Sequence, residues 1–349
     1  MLDVTIVLVN DGYASTSIGP MEVFYAAGRM WNVLEGHGAE PKFRISVASI
    51  DGAPVTSAYG LSISPHSSID AIERADLILV SASSLEPEHW RQKPAELSPW
   101  LRQWHKRGAM IGGLCTGVAF LAESGLLDGR RATTHWGVAR EFQRLYPKVD
   151  WHPEVLITED GGLFCSGGVY ASVDLSLYLV EKLCGHQVAV ECAKSLLINM
   201  PRFYQAGYSI LPVSRAHADQ RIRKVEEHLQ ANFNKPLSID ELAQHAGMSR
   251  RNFLRRFKAA TGAMPGAYLQ MFRVAAARQM LEESVTSVQS VGSAVGYDNV
   301  TFFRQVFRRY TGVTPAEYRS NFRPAALTGF ERIPETIGAG NASASMASL

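Results

Sequence analysis

Residues 4–113 alternate short apolar runs with longer stretches of mixed polarity. Residues 4–10 (VTIVLVN), 43–50 (FRISVASI), 76–81 (DLILVS) and 109–113 (AMIGG) are rich in β-branched side chains and predict strands. Residues 20–34 and 96–106, lying between them, predict helices. Strands alternating with helices predict a parallel α/β sheet with both faces covered.

Beyond residue 236 the pattern turns helical and is written twice. Residues 237–268 and 286–318 are the same unit. Ile239, Leu242, Ala243 and Gly247 return as Val288, Val291, Gly292 and Gly296, a spacing of 49. Phe253, Phe257, Gly262, Pro265 and Tyr268 return as Phe303, Phe307, Gly312, Pro315 and Tyr318, a spacing of 50. The extra residue falls in the turn, where insertion is tolerated. Each unit predicts a helix, a glycine-centred turn and a second helix, the helix-turn-helix pattern.

The residue types follow from that geometry. Ala243 and Gly292 are small enough for two helices to cross closely, and Gly247 and Gly296 suit a left-handed cap. Ser249 and Asp298 stand where an N-cap oxygen would start the second helix. Phe253 and Phe257, like Phe303 and Phe307, are four apart and share a buried face. Arg250, Arg251, Arg255, Arg256 and Lys258 must then point outward, as must Asn299, Thr301, Arg304, Gln305, Arg308 and Arg309.

Charge agrees. Residues 215–323 carry 17 Lys and Arg against 9 Asp and Glu, whereas the whole chain of 349 is only +2. A basic segment on a near-neutral chain is the footprint of a nucleic-acid module. No apolar run is long enough to span a bilayer and the N-terminus lacks a signal pattern, so a cytoplasmic protein is expected. Four cysteines show neither disulfide nor zinc spacing, and no metal or cofactor is expected.

Cys115 differs from the other three. It sits in Gly113-Leu114-Cys115-Thr116-Gly117, between a strand and a helix, as in a nucleophile elbow. A helix N-terminus behind it predicts a lowered thiol pKa, and His135 could complete a Cys–His pair. The Gly-x-Cys-x-Gly run alone fits a core cysteine equally well.

With these motifs in hand, two resemblances emerge. Residues 222–320 resemble the DNA-binding domain of AraC/XylS transcription regulators, through Ile239–Gly247, Phe253–Phe257, Thr261-Gly262, and Gly296-Tyr297 through Tyr318-Arg319. The resemblance implies one long helix joining the units, which would set the recognition helices about one DNA turn apart. It puts Arg251 and Arg255, then Thr301 and Gln305, at base-reading positions. Arg250, Arg256, Lys258, Arg304 and Arg308 become candidates for phosphate contacts.

Residues 1–185 resemble the class I glutamine-amidotransferase-like superfamily, in its PfpI and isocyanide hydratase branch. The likeness rests on the elbow, Ala132-Thr133-Thr134-His135-Trp136, residues 163–174 (LFCSGGVYASVD) and Gly19-Pro20-Met21-Glu22-Val23-Phe24. The two together are the arrangement of GlxA-like regulators. That implies a flavodoxin-like α/β domain at 1–185 and an all-α DNA-binding domain at 219–322 with units at 237–261 and 286–310. Between them 186–218 reads as a linker, with a helix over 188–198 and an extended break at 212–214, and the small-residue composition of 323–349 predicts a disordered tail. Enzymes of the superfamily carry an acidic residue four positions before the Gly-Pro proline; here it is Thr16. They also often carry a Gly-Gly turn after the third strand, where this chain has Ser81-Ala82-Ser83-Ser84. Losing a proton-handling carboxylate and an oxyanion donor favours a sensor over an enzyme.

The expectation is therefore a dimeric transcription regulator, an activator that contacts RNA polymerase and double-stranded DNA. Its effector would be an amino acid or betaine-like metabolite held near Glu22, Ser83, Cys115, Thr116 and His135. Elbow N–H groups suit a carboxylate. Trp90, Trp100, Trp104, Trp136 and Trp151 could cage a quaternary ammonium, although Trp100 and Trp104 are explained as well by packing one helix on the sheet. The alternative is a Cys115-dependent hydrolase or hydratase acting on an amide, nitrile or isocyanide.

Overall fold

Seven strands of the first half form one sheet: β1 (Leu2–Val7), β2 (Phe43–Ser49), β3 (Ser67–Ser68), β4 (Leu77–Val80), β5 (Met110–Leu114), β6 (Ile157–Asp160) and β7 (Leu163–Ser166). Their spatial order is β6-β7-β5-β4-β1-β2-β3. All neighbours are parallel except β6 and β7, which form an antiparallel hairpin. The structure, a computed structural model, describes residues 1–86, 96–208 and 217–322. Trp90, the break expected at 212–214 and the tail expected from 323 lie outside the described residues. The chain divides into two compact units, Met1–Ser209 and Ile210–Leu349.

The first unit adds helices α1 (Ser15–Ala26), α2 (Met30–Leu34), α3 (Leu97–Lys106), α4 (Val118–Glu123), α5 (Ala139–Leu145), α6 (Ala171–Cys184) and α7 (His186–Leu196). Side chains alternate across the sheet. Ile6, Leu77, Leu79 and Phe164 pack with Val23, Phe24, Leu175 and Cys192 on one face. Val7, Ile78, Val80 and Ile111 pack with Trp100, Leu101, Val118 and Leu121 on the other. Both faces are thus buried, which is why these strands read as nearly unbroken apolar runs. Trp100 and Trp104 sit in that second layer, edge to face at 6.0 Å, with the Trp100 indole N–H donating to Ile69 O at 3.1 Å. Packing accounts for both.

One local expectation is corrected. The single helix expected over 20–34 is two helices. Gly28, at φ +73°, breaks it, and a Cβ there would lie 2.1 Å from Glu40 O. The helix expected over 188–198 is α7, and it packs on this unit, with Ala189 and Cys192 buried and the Cys192 thiol donating to Val23 O. Residues 201–208 also join this unit: Arg202 pairs with the nearly buried Asp174 at 2.7 Å.

Among the described residues the second unit contains helices and no strands: α8 (Gln220–Ala231), α9 (Ile239–His245), α10 (Arg250–Thr261), α11 (Pro265–Glu283), α12 (Val288–Ala294), α13 (Val300–Thr311) and α14 (Pro315–Phe322). It has two small cores. One joins Ile222, Val225, Leu242, Phe253, Phe257 and Tyr268; the other joins Val274, Leu281, Val291, Phe303, Phe307 and Tyr318. Helix α11 gives Tyr268 to the first and Val274, Ala277 and Leu281 to the second, so one continuous helix holds both units. Among the described residues no helix is long and apolar enough to cross a membrane.

Candidate functional site

The two helix-turn-helix units are built alike down to their hydrogen bonds. Ser238 and Ser287 cap α9 and α12, accepting from Glu241 N at 3.1 Å and Ser290 N at 3.0 Å. Gly247 and Gly296 turn the chain at φ +62° and +89°. Gly292 lies against Phe303: a Cβ there would sit 2.9 Å from a ring carbon. Thr261 and Thr311, both buried, donate to Phe257 O and Phe307 O at 2.8 Å and close the helix ends. Tyr268 then donates to Glu226 on α8, and Tyr318 to Glu282 on α11. To the second unit α11 stands as α8 stands to the first.

With Phe253, Phe257, Phe303 and Phe307 fully buried, the opposite faces of α10 and α13 lie in solvent. Arg250, Arg251, Arg255, Thr301, Arg304, Gln305 and Arg308 are all exposed there. Arg250 makes a long, exposed ion pair with Asp240 at 3.4 Å, and the Arg255 guanidinium donates to Asn252 at 3.0 Å. Both are contacts that a DNA backbone or base edge can displace.

Two candidates are otherwise engaged. Arg256 is held by Asp219, Nη2 to Oδ2 at 2.8 Å and Nε to Oδ2 at 2.9 Å, while Asp219 Oδ1 accepts from Ile222 N as the N-cap of α8. Its guanidinium therefore fastens α10 to α8. Asn299, not Asp298, is the N-cap of α13 and accepts from Phe302 N at 2.9 Å. The residue inserted in the second turn moves the cap one place along. Ser249 occupies the N-cap of α10, with no side-chain cap bond.

In the first unit the elbow exists as a backbone shape. Cys115 has φ +55°, a left-handed value that side-chain-bearing residues rarely adopt. It sits between β5 and α4, with close packing demanding Gly117: a Cβ there would meet Ser81 O and Val80 O at 2.5 Å. The chemistry differs from expectation. Cys115 is only 1% exposed, and burial pushes its thiol up to about 12 against opposing hydrogen bonds from Thr116. Desolvation outweighs any pull of the helix start. Among the described residues no hydrogen bond joins the thiol to His135. The His135 Nδ1 instead accepts from Gly137 N at 3.0 Å, and burial lowers its pKa, leaving a neutral ring. What reaches the elbow is Thr134, whose hydroxyl donates to Cys115 O at 3.0 Å.

Thr16 occupies the enzymes' acidic position as a fully buried hydroxyl. It donates to Tyr13 O at 2.7 Å and accepts from Ala82 N at 3.1 Å. The first N–H beyond Ser81, where an oxyanion donor would be sought, is thereby occupied. Thr116 donates to Ser83 O at 2.7 Å. Glu22 is exposed on α1 and lines no cavity described here, because its neighbours Val23 and Phe24 take the buried face.

Beside the elbow opens a cleft of about 390 Å³ at the carboxyl ends of β1 and β2. Leu8, Val9, Ile50, Pro54, Val55 and Phe120 give it an apolar wall, and Asn10, Asp11, Ser49, Asp51 and Ser83 its polar groups. Of the sequence candidates only Ser83 lines it. Asn10 and Asp11 were missed; their signal was the Asn-Asp-Gly turn at a strand's carboxyl end, where open α/β sheets place ligands.

Comparison with known proteins agrees with both halves. Residues 6–182 match the DJ-1/PfpI family and residues 242–321 a helix-turn-helix domain. The chain is 31% identical over 279 residues to the HTH-type transcriptional regulator CdhR of Pseudomonas aeruginosa, covering 80% of this chain and 82% of the relative. It is 26% identical over 294 residues to the HTH-type transcriptional regulator GlxA of Rhizobium meliloti, covering 83% and 88%. Over 151 residues it is 29% identical to an isonitrile hydratase of Pseudomonas putida, covering 43% of this chain and 63% of that enzyme.

Proposed function

We propose, for this chain that belongs to the DJ-1/PfpI family and is a DNA-binding transcription regulator, that its first domain senses a small metabolite and its second reads a promoter. The observation that carries the reading is the repeat itself: two units in register on one shared helix, each presenting an exposed cationic or polar face over a phenylalanine core. Arg251 and Arg255 read bases in one groove and Thr301 and Gln305 in the next. Arg250, Arg304 and Arg308 hold phosphates, and Asn299, whose Oδ1 caps α13, offers DNA its side-chain amide N–H groups. Arg256 is better assigned to the protein's own framework, on its Asp219 pair.

The effector belongs at the carboxyl ends of the strands, near Ser83, Cys115, Thr116 and His135, and is an amino acid or betaine-like metabolite. Residues 1–185 form the sensing and dimerising domain with 186–208 packed on it, 209–218 the connection and 219–322 the DNA-binding domain. Effector binding would favour one arrangement of a dimer and so shift the population competent for DNA. We take the protein to be a cytoplasmic activator that contacts RNA polymerase. We also take it to be no enzyme, which a buried, protonated Cys115 without a histidine partner supports. Mapping bound promoters in cells tests the reading. Discrete sites upstream of a few genes are expected, and scattered binding without a common sequence would remove it. A screen on amides, nitriles and isocyanides tests the hydrolase alternative.

A further inference from the structure

The cleft at the ends of β1 and β2 has features that no regulator role yet uses. Ser83 is 3% exposed, and its hydroxyl Oγ has no hydrogen-bond partner, although it lines a cleft. A buried hydroxyl left unpaired is costly, and a ligand's polar group can recover that cost. Asp11 and Asp51 line the same cleft, and among the described residues no Lys, Arg or His does. Both carboxylates are exposed at the cleft's rim, and Asp51 accepts from Ala53 N at 2.9 Å and from Ser49 Oγ at 3.5 Å. The Asp11 carboxylate has no hydrogen bond or ion pair among the described residues, and its backbone holds a left-handed φ of +61°. Val9, Ile50, Pro54 and Phe120 line the same cleft with hydrocarbon.

A wall of hydrocarbon beside two carboxylates and a free hydroxyl accepts hydrogen bonds and positive charge. It repels a carboxylate or phosphate. We propose that this cleft, rather than the cysteine elbow, is the effector site, and that of the effector class proposed above it takes the amino-acid kind, holding its ammonium end on a hydrocarbon body and leaving any carboxylate directed away from Asp11 and Asp51. The ammonium donates to Asp11 and Ser83, and the hydrocarbon lies on Val9, Ile50 and Phe120. The cleft also reaches the elbow without using its thiol, since Ser83 O accepts the Thr116 hydroxyl. This proposal rests on the reading of the first domain as a sensor.

The test uses the full chain and three probes of one shape: cyclohexylammonium, cyclohexanol and cyclohexanecarboxylate, titrated by calorimetry. Cyclohexylammonium is expected to bind most tightly and the carboxylate not at all. Asp11→Asn should weaken the ammonium at least about tenfold, since a charge-assisted bond is lost. Asparagine tolerates the left-handed backbone, so this variant should fold. Ser83→Ala should weaken binding too, yet leave the free protein's melting temperature unchanged or higher, because an unpaired buried hydroxyl is gone. Equal binding of the carboxylate, unchanged ammonium affinity in both variants, or no binding of any probe would overturn the proposal. DNA titrations on the same samples separate the two readings. Ammonium binding that leaves DNA affinity unchanged removes the sensor and keeps the cleft. A metabolite whose effect on DNA survives Asp11→Asn but vanishes in Cys115→Ser removes the cleft and keeps the sensor.

Discussion

Arg256 and Asp219 are joined through two guanidinium nitrogens, at 2.8 and 2.9 Å, so that a recognition helix is tied to the cap of the helix behind it. An arginine on the basic face is thereby spent inside the protein. Arg256→Ala should lower stability by about 1 kcal/mol, the scale of a partly exposed ion pair. Base preference at any single position of a bound site should not change. Thermal unfolding alongside a binding-site selection checks both halves of that statement.

The two turns make unequal demands on glycine. Gly247→Ala meets only the left-handed backbone, since nothing lies within 4 Å of the added carbon, and should cost about 1 kcal/mol. In Gly296→Ala the same carbon would come within 2.6 Å of Asn234 O, so the loss should be clearly larger. Gly292→Ala pushes on the buried Phe303 ring and should cost about 1–3 kcal/mol. Denaturant unfolding of the three variants checks the order; equal losses at the two turns would contradict it.

Burial also sets the chemistry of the thiols. Cys115 and Cys165 are both pushed up to about 12 by desolvation. Iodoacetamide at pH 8 should therefore label the half-exposed Cys184 first and leave Cys115 intact, as read by peptide mass spectrometry. The sign for stability follows. The folded chain keeps the Cys115 proton where the unfolded chain, with an ordinary value of 9.0, releases it. That contribution is whole below pH 9 and is lost as the pH climbs towards about 12. Rapid labelling of Cys115 at pH 8, with turnover abolished in Cys115→Ser, would return the enzyme reading.

A fragment from Arg215 onward keeps both small cores, the shared helix and the His217–Glu226 contact at 2.8 Å. It should fold and bind DNA, more weakly than the full chain and with no response to any effector. The proposed dimer raises the effective concentration of the second binding module. Light scattering that finds a full-length monomer, with equal affinity in the fragment, would contradict this.

What the sequence made legible was periodic or repeated. Alternating apolar runs marked the central strands, and the spacing of Phe253 and Phe257 with Phe303 and Phe307 marked the buried faces of both recognition helices. What escaped depended on partners far along the chain. Arg256 looks like its neighbours until Asp219, 37 residues earlier, comes beside it. Glycine 28 broke a helix because Glu40 crosses there. The elbow motif predicted the bend at Cys115 but not its desolvation, which comes from the layers packed around it. The edge strand β3, two residues long, carries too short a pattern to be seen.

Promoter recognition by this chain requires that the two units read one stretch of DNA together. Selection from randomised duplexes, carried out with Arg255→Ala, Gln305→Ala and Arg308→Ala beside the parent chain, measures this directly. Arg255→Ala should cost about 1–3 kcal/mol and relax preference at one or two base pairs. Gln305→Ala should relax preference about 10 base pairs away, one helical turn along. Arg308→Ala should weaken all sequences alike and reduce the salt slope by about 0.9. Uniform weakening by all three, with base preferences unchanged, would contradict the account.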